Sequence, residues 1–317
     1  MRLLDRCQHI SLVLLGGAVA LGGAGSLLGP GWAVAGVLAG PFIALAVAVA
    51  VQVFTTTDPA LLVADRHREA LYLIDQEMPT WRHLARIWPA RFLDTLANRL
   101  MQRSLALHTA LRDGEAVANA EEGVAIYRSL AAARPGKHLP GLAIALNNLT
   151  YPLRAAGRRD EALAVAEESV RLNRALAAAR PKRYRYSLAC SLGTQAELLT
   201  QAGRLGDALE SVSEAAGLYQ DVHPGGDNAR QAAEVLILQG QLLCDLSRSR
   251  EAARPLAEGW HLAASRTRQN PAFARAALRT AYKADPADFA GIWRTETGSD
   301  LPRWLTEQDG VSPDRPG

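Results

Sequence analysis

The sequence predicts an all-α protein: a superhelix of antiparallel helix pairs preceded by two transmembrane helices. Three observations carry that prediction. Between Arg6 and Asp58 there is no Asp, Glu, Lys or Arg, and residues 10–28 and 31–54 are each long enough to cross a hydrocarbon layer of about 30 Å as a helix. Further on, an acid followed by alanine recurs at Glu115-Ala116, Glu161-Ala162, Asp207-Ala208 and Glu251-Ala252, at intervals of 46, 46 and 44 residues, a period suited to stacked helix pairs. Finally, long Ala/Leu/Glu/Arg stretches lack the strict apolar alternation of strands, and aromatics are only 6%.

Gly29-Pro30-Gly31 separates the two apolar segments. A proline flanked by glycines does not continue a helix and favours a tight reversal, so residues 1–57 read as a membrane hairpin with both ends on one face. A secretory signal followed by one span is the other reading, since Arg2, Arg6 and Ala18-Val19-Ala20 resemble parts of such a signal. The charge-free run through Phe54 overshoots it and favours the hairpin. Arg2, Arg6, Arg66 and Arg68 flank the hairpin and place that face in the cytoplasm, with the chain as a multi-pass protein of the cell (inner) membrane. Gly25xxxGly29 and Gly36xxxGly40 put paired glycines on one helix face, which would let backbones approach within the hairpin or between copies in an oligomer.

The repeat units follow. Pro89, Pro135, Pro181 and Pro224 recur just before each unit, and Leu-Ala-Ala-Ala precedes both Arg134-Pro135 and Arg180-Pro181. The first helix of each unit aligns Leu96, Leu142, Leu188 and Ala232, then Leu100, Leu146, Leu192 and Leu236, then Leu107, Leu153, Leu199 and Leu243, which makes one buried face. Gly157-Arg158 and Gly203-Arg204 close the first helix, the glycine supplying a left-handed residue. Unit one has Arg112-Asp113-Gly114 and unit four Ser247-Arg248-Ser249 at that place, so no such glycine marks their turns. The second helices carry small residues, such as Ala162, Ala166, Ala208 and Ala215, where helices approach closely.

This pattern resembles the tetratricopeptide (TPR) repeat, in the longer variant of the kinesin light chain type common in actinobacterial proteins. The second unit carries it best, with Ala143-Ile144-Ala145-Leu146-Asn147-Asn148-Leu149, Leu153, Gly157-Arg158 and Asp160-Glu161-Ala162-Leu163. The resemblance implies a right-handed superhelix, with repeats at 89–134, 135–180, 181–223 and 224–270. Glu69-Ala70-Leu71 precedes Glu115 by another 46 residues, so residues 58–88 form a linker helix and N-terminal cap, kinked or interrupted at Pro79. Residues 271–306 form capping helices anchored by Ile292, Trp293 and Trp304, and the polar, proline-bearing segment 307–317 is a disordered tail.

The resemblance also implies a concave groove lined by first helices, which holds an extended or helical peptide. Its exposed positions are Asn98, Gln102, Asn148, Tyr151, Thr194, Glu197 and Gln241. Asn148 matches a position that contacts peptide backbone, a task suited to an amide with both donor and acceptor; bracing the next repeat is the alternative role. Arg154 alone at the groove edge disfavours a C-terminal carboxylate ligand. A basic rim of Lys137, Lys182, Arg183 and Arg185, with Arg134, His138 and Arg180, falls in inter-repeat loops and reads as a solvated edge or a site for anionic lipid headgroups.

A net charge of +3 and the lack of interleaved aromatics on that rim argue against nucleic acid. Cys7, Cys190 and Cys244 form no CxxC, and His9, His67, His83, His108, His138, His223 and His261 never take metal-ligand spacing. No nucleophile elbow or phosphate loop is present, so the expectation is a non-enzyme without cofactor or metal. Glu121-Glu122 and Glu167-Glu168 read as solvent-facing acids, Glu167 pairing with Arg171 one turn on. The expected function is a membrane-anchored scaffold binding a protein or peptide at the cytoplasmic face. The alternative is a regulatory subunit of a membrane enzyme or transport complex that meets its partner through the hairpin.

Overall fold

The computed structural model describes residues 67–220, 228–266 and 274–306. The expected hairpin, the linker up to residue 66, the third repeat boundary near residue 223 and the tail at 307–317 lie outside the described residues. Among those described, no helix is long and apolar enough to cross a membrane.

The described residues form twelve helices and no strand. They are α1 (His67–Ile87), α2 (Pro89–Thr109), α3 (Asp113–Ala133), α4 (Pro135–Ala155), α5 (Arg159–Ala179), α6 (Pro181–Gln201), α7 (Leu205–Leu218), α8 (Ala229–Asp245), α9 (Ala253–Arg266), α10 (Arg275–Ala284), α11 (Pro286–Thr297) and α12 (Arg303–Thr306). Each pairs with its sequence neighbour from α1 through α9. Pro89, Pro135 and Pro181 open α2, α4 and α6; there a missing N–H costs nothing and the fixed φ is already helical. Arg134 and Arg180, the single residues before two of these prolines, are extended at φ −143° and −144°, because proline keeps its predecessor out of the α region.

That one-residue hinge corrects the placement of the basic rim. Lys137, Lys182, Arg183 and Arg185 are not in loops; Lys137 is in the first turn of α4, and Lys182, Arg183 and Arg185 lie within the first five residues of α6. His138 is buried, with Nδ1 3.6 Å from the Asp94 carboxylate. Pro79 lies within α1, which runs unbroken from His67 to Ile87.

The turn inside each pair is the same in all four repeats. Gly157 and Gly203 close their helices at φ +77° and +74°, and Leu111 and Ser247 adopt the same left-handed conformation at +58° and +60°. The next N–H then reaches back five residues: Arg112 to Leu107 O, Arg158 to Leu153 O and Arg204 to Leu199 O at 2.9 Å, and Arg248 to Leu243 O at 2.7 Å. This closure satisfies carbonyls that the helix end would orphan. The same arginine clasps the acid three residues on, in Arg112–Glu115, Arg158–Glu161, Arg204–Asp207 and Arg248–Glu251. Those hydrogen bonds hold the Glu115, Glu161 and Glu251 carboxyls below the usual range.

Leu111 is 85% exposed and bears the steric cost of a left-handed conformation with no packing return. The αL penalty of about 1–2 kcal/mol exceeds the extra unfolded-chain entropy of glycine, about 0.5–1 kcal/mol. Leu111→Gly is therefore expected to stabilise the protein by about 0.5–1 kcal/mol, read as a higher urea midpoint at unchanged slope. A lower midpoint would show that Leu111 has a packing role that its exposure hides.

All three leucine rows of the first helices are buried, from Leu100 and Leu146 at 0% to Leu236 at 7% exposure. The alanines Ala116, Ala162 and Ala208 of the second helices, and Ala252 just before α9, are fully buried. Leu163 touches the core on both sides of the second repeat, and Leu209 does so in the third, which makes the core continuous. Helix α1 repeats this register: Ala70, Ile74, Trp81 and Ala85 are buried 46 residues ahead of the buried Ala116, Ala120, Tyr127 and Ala131. At the other end Asp285 caps α11 by accepting from the Asp288 N–H at 3.2 Å. Trp260 meets Trp293 and Trp304 at ring distances of 6.0 and 5.3 Å, so the stack ends on aromatic side chains.

Successive first helices α2, α4, α6 and α8 touch one another directly. Successive second helices are instead spanned by long side chains: Arg82–Glu122 and Arg128–Glu168 at 2.6 Å and Arg174–Glu214 at 2.7 Å. Close contact on one side and long bridges on the other put the first helices on the inner wall. The expected Glu167–Arg171 pair is not among the ion pairs of the described residues, while the adjacent Glu168, like Glu122, turns to an arginine of the preceding repeat. Glu121 in turn meets Arg158 of the following turn at 3.0 Å.

Candidate partner-binding groove

The inner wall is built from the exposed edge of each first helix. On α2, Asn98 is exposed and Gln102 is half-buried, its Oε1 accepting from Arg99 Nη1 at 3.0 Å. On α4, Ile144 is 55% exposed and Asn148, one turn on, is exposed. Asn148 and Tyr151 share a cleft with Met101, Leu105 and His108 of α2. Its neighbour Asn147 is buried, and its Oδ1 has no hydrogen-bond partner among the described residues.

The next cleft brings together part of the expected set. Tyr151 of α4 meets Thr194 of α6, Oη to Oγ1, at 3.4 Å, and Glu197 of α6 accepts from Arg154 Nη1 of α4 at 2.9 Å. Thr194 was expected to be exposed, yet only 7% of it is. Its hydroxyl donates to Cys190 O at 3.1 Å, and the neighbouring first helices cover the rest. Gln241 lies apart, half-buried, near the far end of α8 beside Thr200, Asp245 and Thr280. The structure thus joins Tyr151, Thr194 and Glu197, places Asn148 in the adjacent cleft, and leaves Asn98, Gln102 and Gln241 elsewhere on the wall.

Cys190, which the sequence does not place in the groove, also lines this cleft, together with Tyr219, Gln231 and Glu234, which composition and motif did not single out. The repeat interval could have found one of them. Asn98, Ile144, Cys190 and Glu234 stand 46, 46 and 44 residues apart, so Glu234 occupies the register of a groove position. Burial pushes the Tyr151 and Tyr219 phenols and the Cys190 thiol up. Burial also raises the Glu234 carboxyl, with Glu197 adding to the effect and Arg230 opposing it.

The basic rim is partly committed to its own surface. Arg185 stacks over Tyr186 at 4.6 Å and donates to its hydroxyl at 2.6 Å, while Arg183 lies over Tyr184 at 5.4 Å. Lys137 and Lys182 are exposed on separate helices. Cys190 and Cys244 are both raised by burial, which moves them away from the thiolate that redox or nucleophilic chemistry needs. Among the described residues no three His, Cys, Asp or Glu side chains converge as a metal site would require.

No protein-family model matches the chain, and no curated protein matches it. Solved structures do. BtubC (BKLC) from P. vanneervenii is 15% identical, covers 79% of this chain and 99% of its own, and superposes with a TM-score of 0.53. The nearly identical TPR-like repeats of a kinesin light chain protein from Podosopora anserina are 16% identical over 66% of this chain and 100% of theirs, with a TM-score of 0.46. The likeness to BtubC is one of fold: the described residues form a TPR-like helical-repeat solenoid.

Proposed function

We propose that this chain is a non-enzymatic, membrane-anchored adaptor that holds a protein or peptide partner in the groove of its first helices at the cytoplasmic face. The observation that carries this reading is the inner wall itself, where exposed Asn148 and the exposed apolar side chains of Ile144 and Leu105 stand on adjacent helices. An amide among apolar groups suits a peptide, pairing with its backbone while its side chains cover the hydrocarbon. The charge-free stretch at residues 10–54 supports the anchor. Anchoring would confine the adaptor to two dimensions and raise the effective concentration of partners on the same membrane.

The test is photocrosslinking in native membrane from position 148, with position 171 on the exposed outer side of α5 as control. A partner adduct from 148 and none from 171 is expected. Asn148→Ala should weaken capture of that partner by about 1–3 kcal/mol, because a backbone group of the ligand loses its pair in the groove. Thermal unfolding should stay unchanged, since Asn148 is exposed. Arg158 is no neutral control, being paired with both Glu161 and Glu121. Capture that survives replacement of residues 1–57 by an unrelated anchor supports the groove. Capture lost on that replacement would move the contact to the hairpin and favour a regulatory subunit.

A further inference from the structure

We infer that the cleft between α4, α6 and α8 is a subsite for a cationic side chain, lysine or arginine, of the bound peptide. The inference rests on the groove reading and names the chemistry of one position within it. Its polar lining is Tyr151 of α4, Thr194 and Glu197 of α6, Gln231 and Glu234 of α8, and Tyr219, beside the apolar Val235 and Leu238. These groups present mainly acceptors. The buried Oε1 of Gln231 has no hydrogen-bond partner among the described residues. Thr194 has directed its proton to Cys190 O, which leaves its oxygen as an acceptor.

The two carboxylates are incompletely matched by protein cations. Glu197 meets Arg154 through one oxygen at 2.9 Å, and Arg154 also lies 5.8 Å from the centre of the Tyr151 ring. Glu234 meets Arg230 only at 3.3 Å, and the Arg230 side chain is 70% exposed. Partial burial, with Glu197 beside it, raises the Glu234 carboxyl against the pull of Arg230, and half of the Glu234 side chain stays exposed. A lysine ammonium brings three donors and no acceptor, and a guanidinium five. Either would satisfy Gln231 Oε1, lie between two carboxylates, and face the electron-rich rings of Tyr151 and Tyr219. An acidic or phosphorylated residue would be repelled by Glu197 and Glu234, and an apolar one would leave the glutamine oxygen unpaired.

The test pans a phage-displayed library of random dodecapeptides against the purified full chain in non-ionic detergent, with competition by an excess of Asn148→Ala protein to isolate groove binders. The expected pool carries Lys or Arg at one fixed position. In a synthetic peptide of the consensus, replacing that residue by norleucine should weaken binding about 10- to 100-fold, the range for losing a hydrogen-bonded charge. On Glu234→Gln protein, and separately on Glu197→Gln protein, the same replacement should change affinity less than about threefold, with melting temperatures close to the parent. Groove binders with no cationic position, or with a cation whose loss both variants feel as strongly as the parent does, would overturn the subsite while leaving the groove intact. Spermidine displacing the peptide at equal potency would assign the cleft to a free polyamine and overturn it too. A pool that ignores the Asn148 substitution would overturn both the groove and the subsite.

Discussion

Leu146→Ala is expected to destabilise the protein by about 2–5 kcal/mol, the range for truncating a core leucine whose surroundings relax only in part. Leu146 is 0% exposed and lies in the middle row of α4, in one core cluster with Val124 and Tyr127 of α3 and Ala162 and Ala166 of α5. The position in the stack matters as much as the burial. A solenoid's stability is nearly a sum of repeat terms and nearest-neighbour interfaces, and α4 contacts α2, α3, α5 and α6. A cavity there weakens the coupling between the halves on either side, so the whole cooperative transition should move to lower urea. The comparison on the same helix is Ile144→Ala, which removes the same three carbons from a side chain that is 55% exposed. Its effect should stay within about 0.5 kcal/mol. Equal losses at both positions would mean that the face assigned to the core is wrong.

That register was legible because leucines repeat with the chain's own period, and periodic burial survives weak identity elsewhere. The turns of the first and fourth repeats were less legible because the signal sought was glycine. What the backbone requires there is a left-handed residue and a five-residue return hydrogen bond, and Leu111 and Ser247 provide both. The outer ladder hid for a similar reason. Arg82, Arg128 and Arg174 share the repeat period with Glu122, Glu168 and Glu214, but each bridge joins residues 40 apart on different helices. A search for charges one helical turn apart looks within a helix and passes over it.

The groove was legible as a surface and not as a set of contacts. Asn148 was placed by its phase on one helix, and its exposure follows from that phase alone. Thr194 has the same phase 46 residues later and is buried, because its cover comes from helices before and after it. Gln231 and Glu234 were missed although the same 44-residue offset aligns Leu192 with Leu236, because a register gives the face of one helix and not the residues of α4 and α6 that share its cleft. Asn147 shows the limit in one dipeptide: two adjacent asparagines, one exposed and one buried with an oxygen unpaired among the described residues.

Trp81→Ala is expected to cost about 3–5 kcal/mol locally, the usual range for removing a buried tryptophan, yet to leave most of the protein folded. Trp81 is 1% exposed on α1, donates from Nε1 to Glu77 at 3.2 Å, and has Phe92 at a ring distance of 6.3 Å and the Arg99 guanidinium at 5.8 Å. Without the indole, α1 loses its main anchor on α2, and the buried Arg99–Glu77 pair, 3.6 Å apart, is opened to water. Among the described helices α1 is the first of the stack, so its release breaks one interface where a central cavity weakens several. The expected signature is therefore a separate, early loss of helical signal and rapid amide exchange confined to residues 67–87. The main urea midpoint should move far less than in Leu146→Ala. A single transition shifted as a whole would show instead that α1 nucleates the repeats that follow it, which would make it part of the folding unit and not a cap.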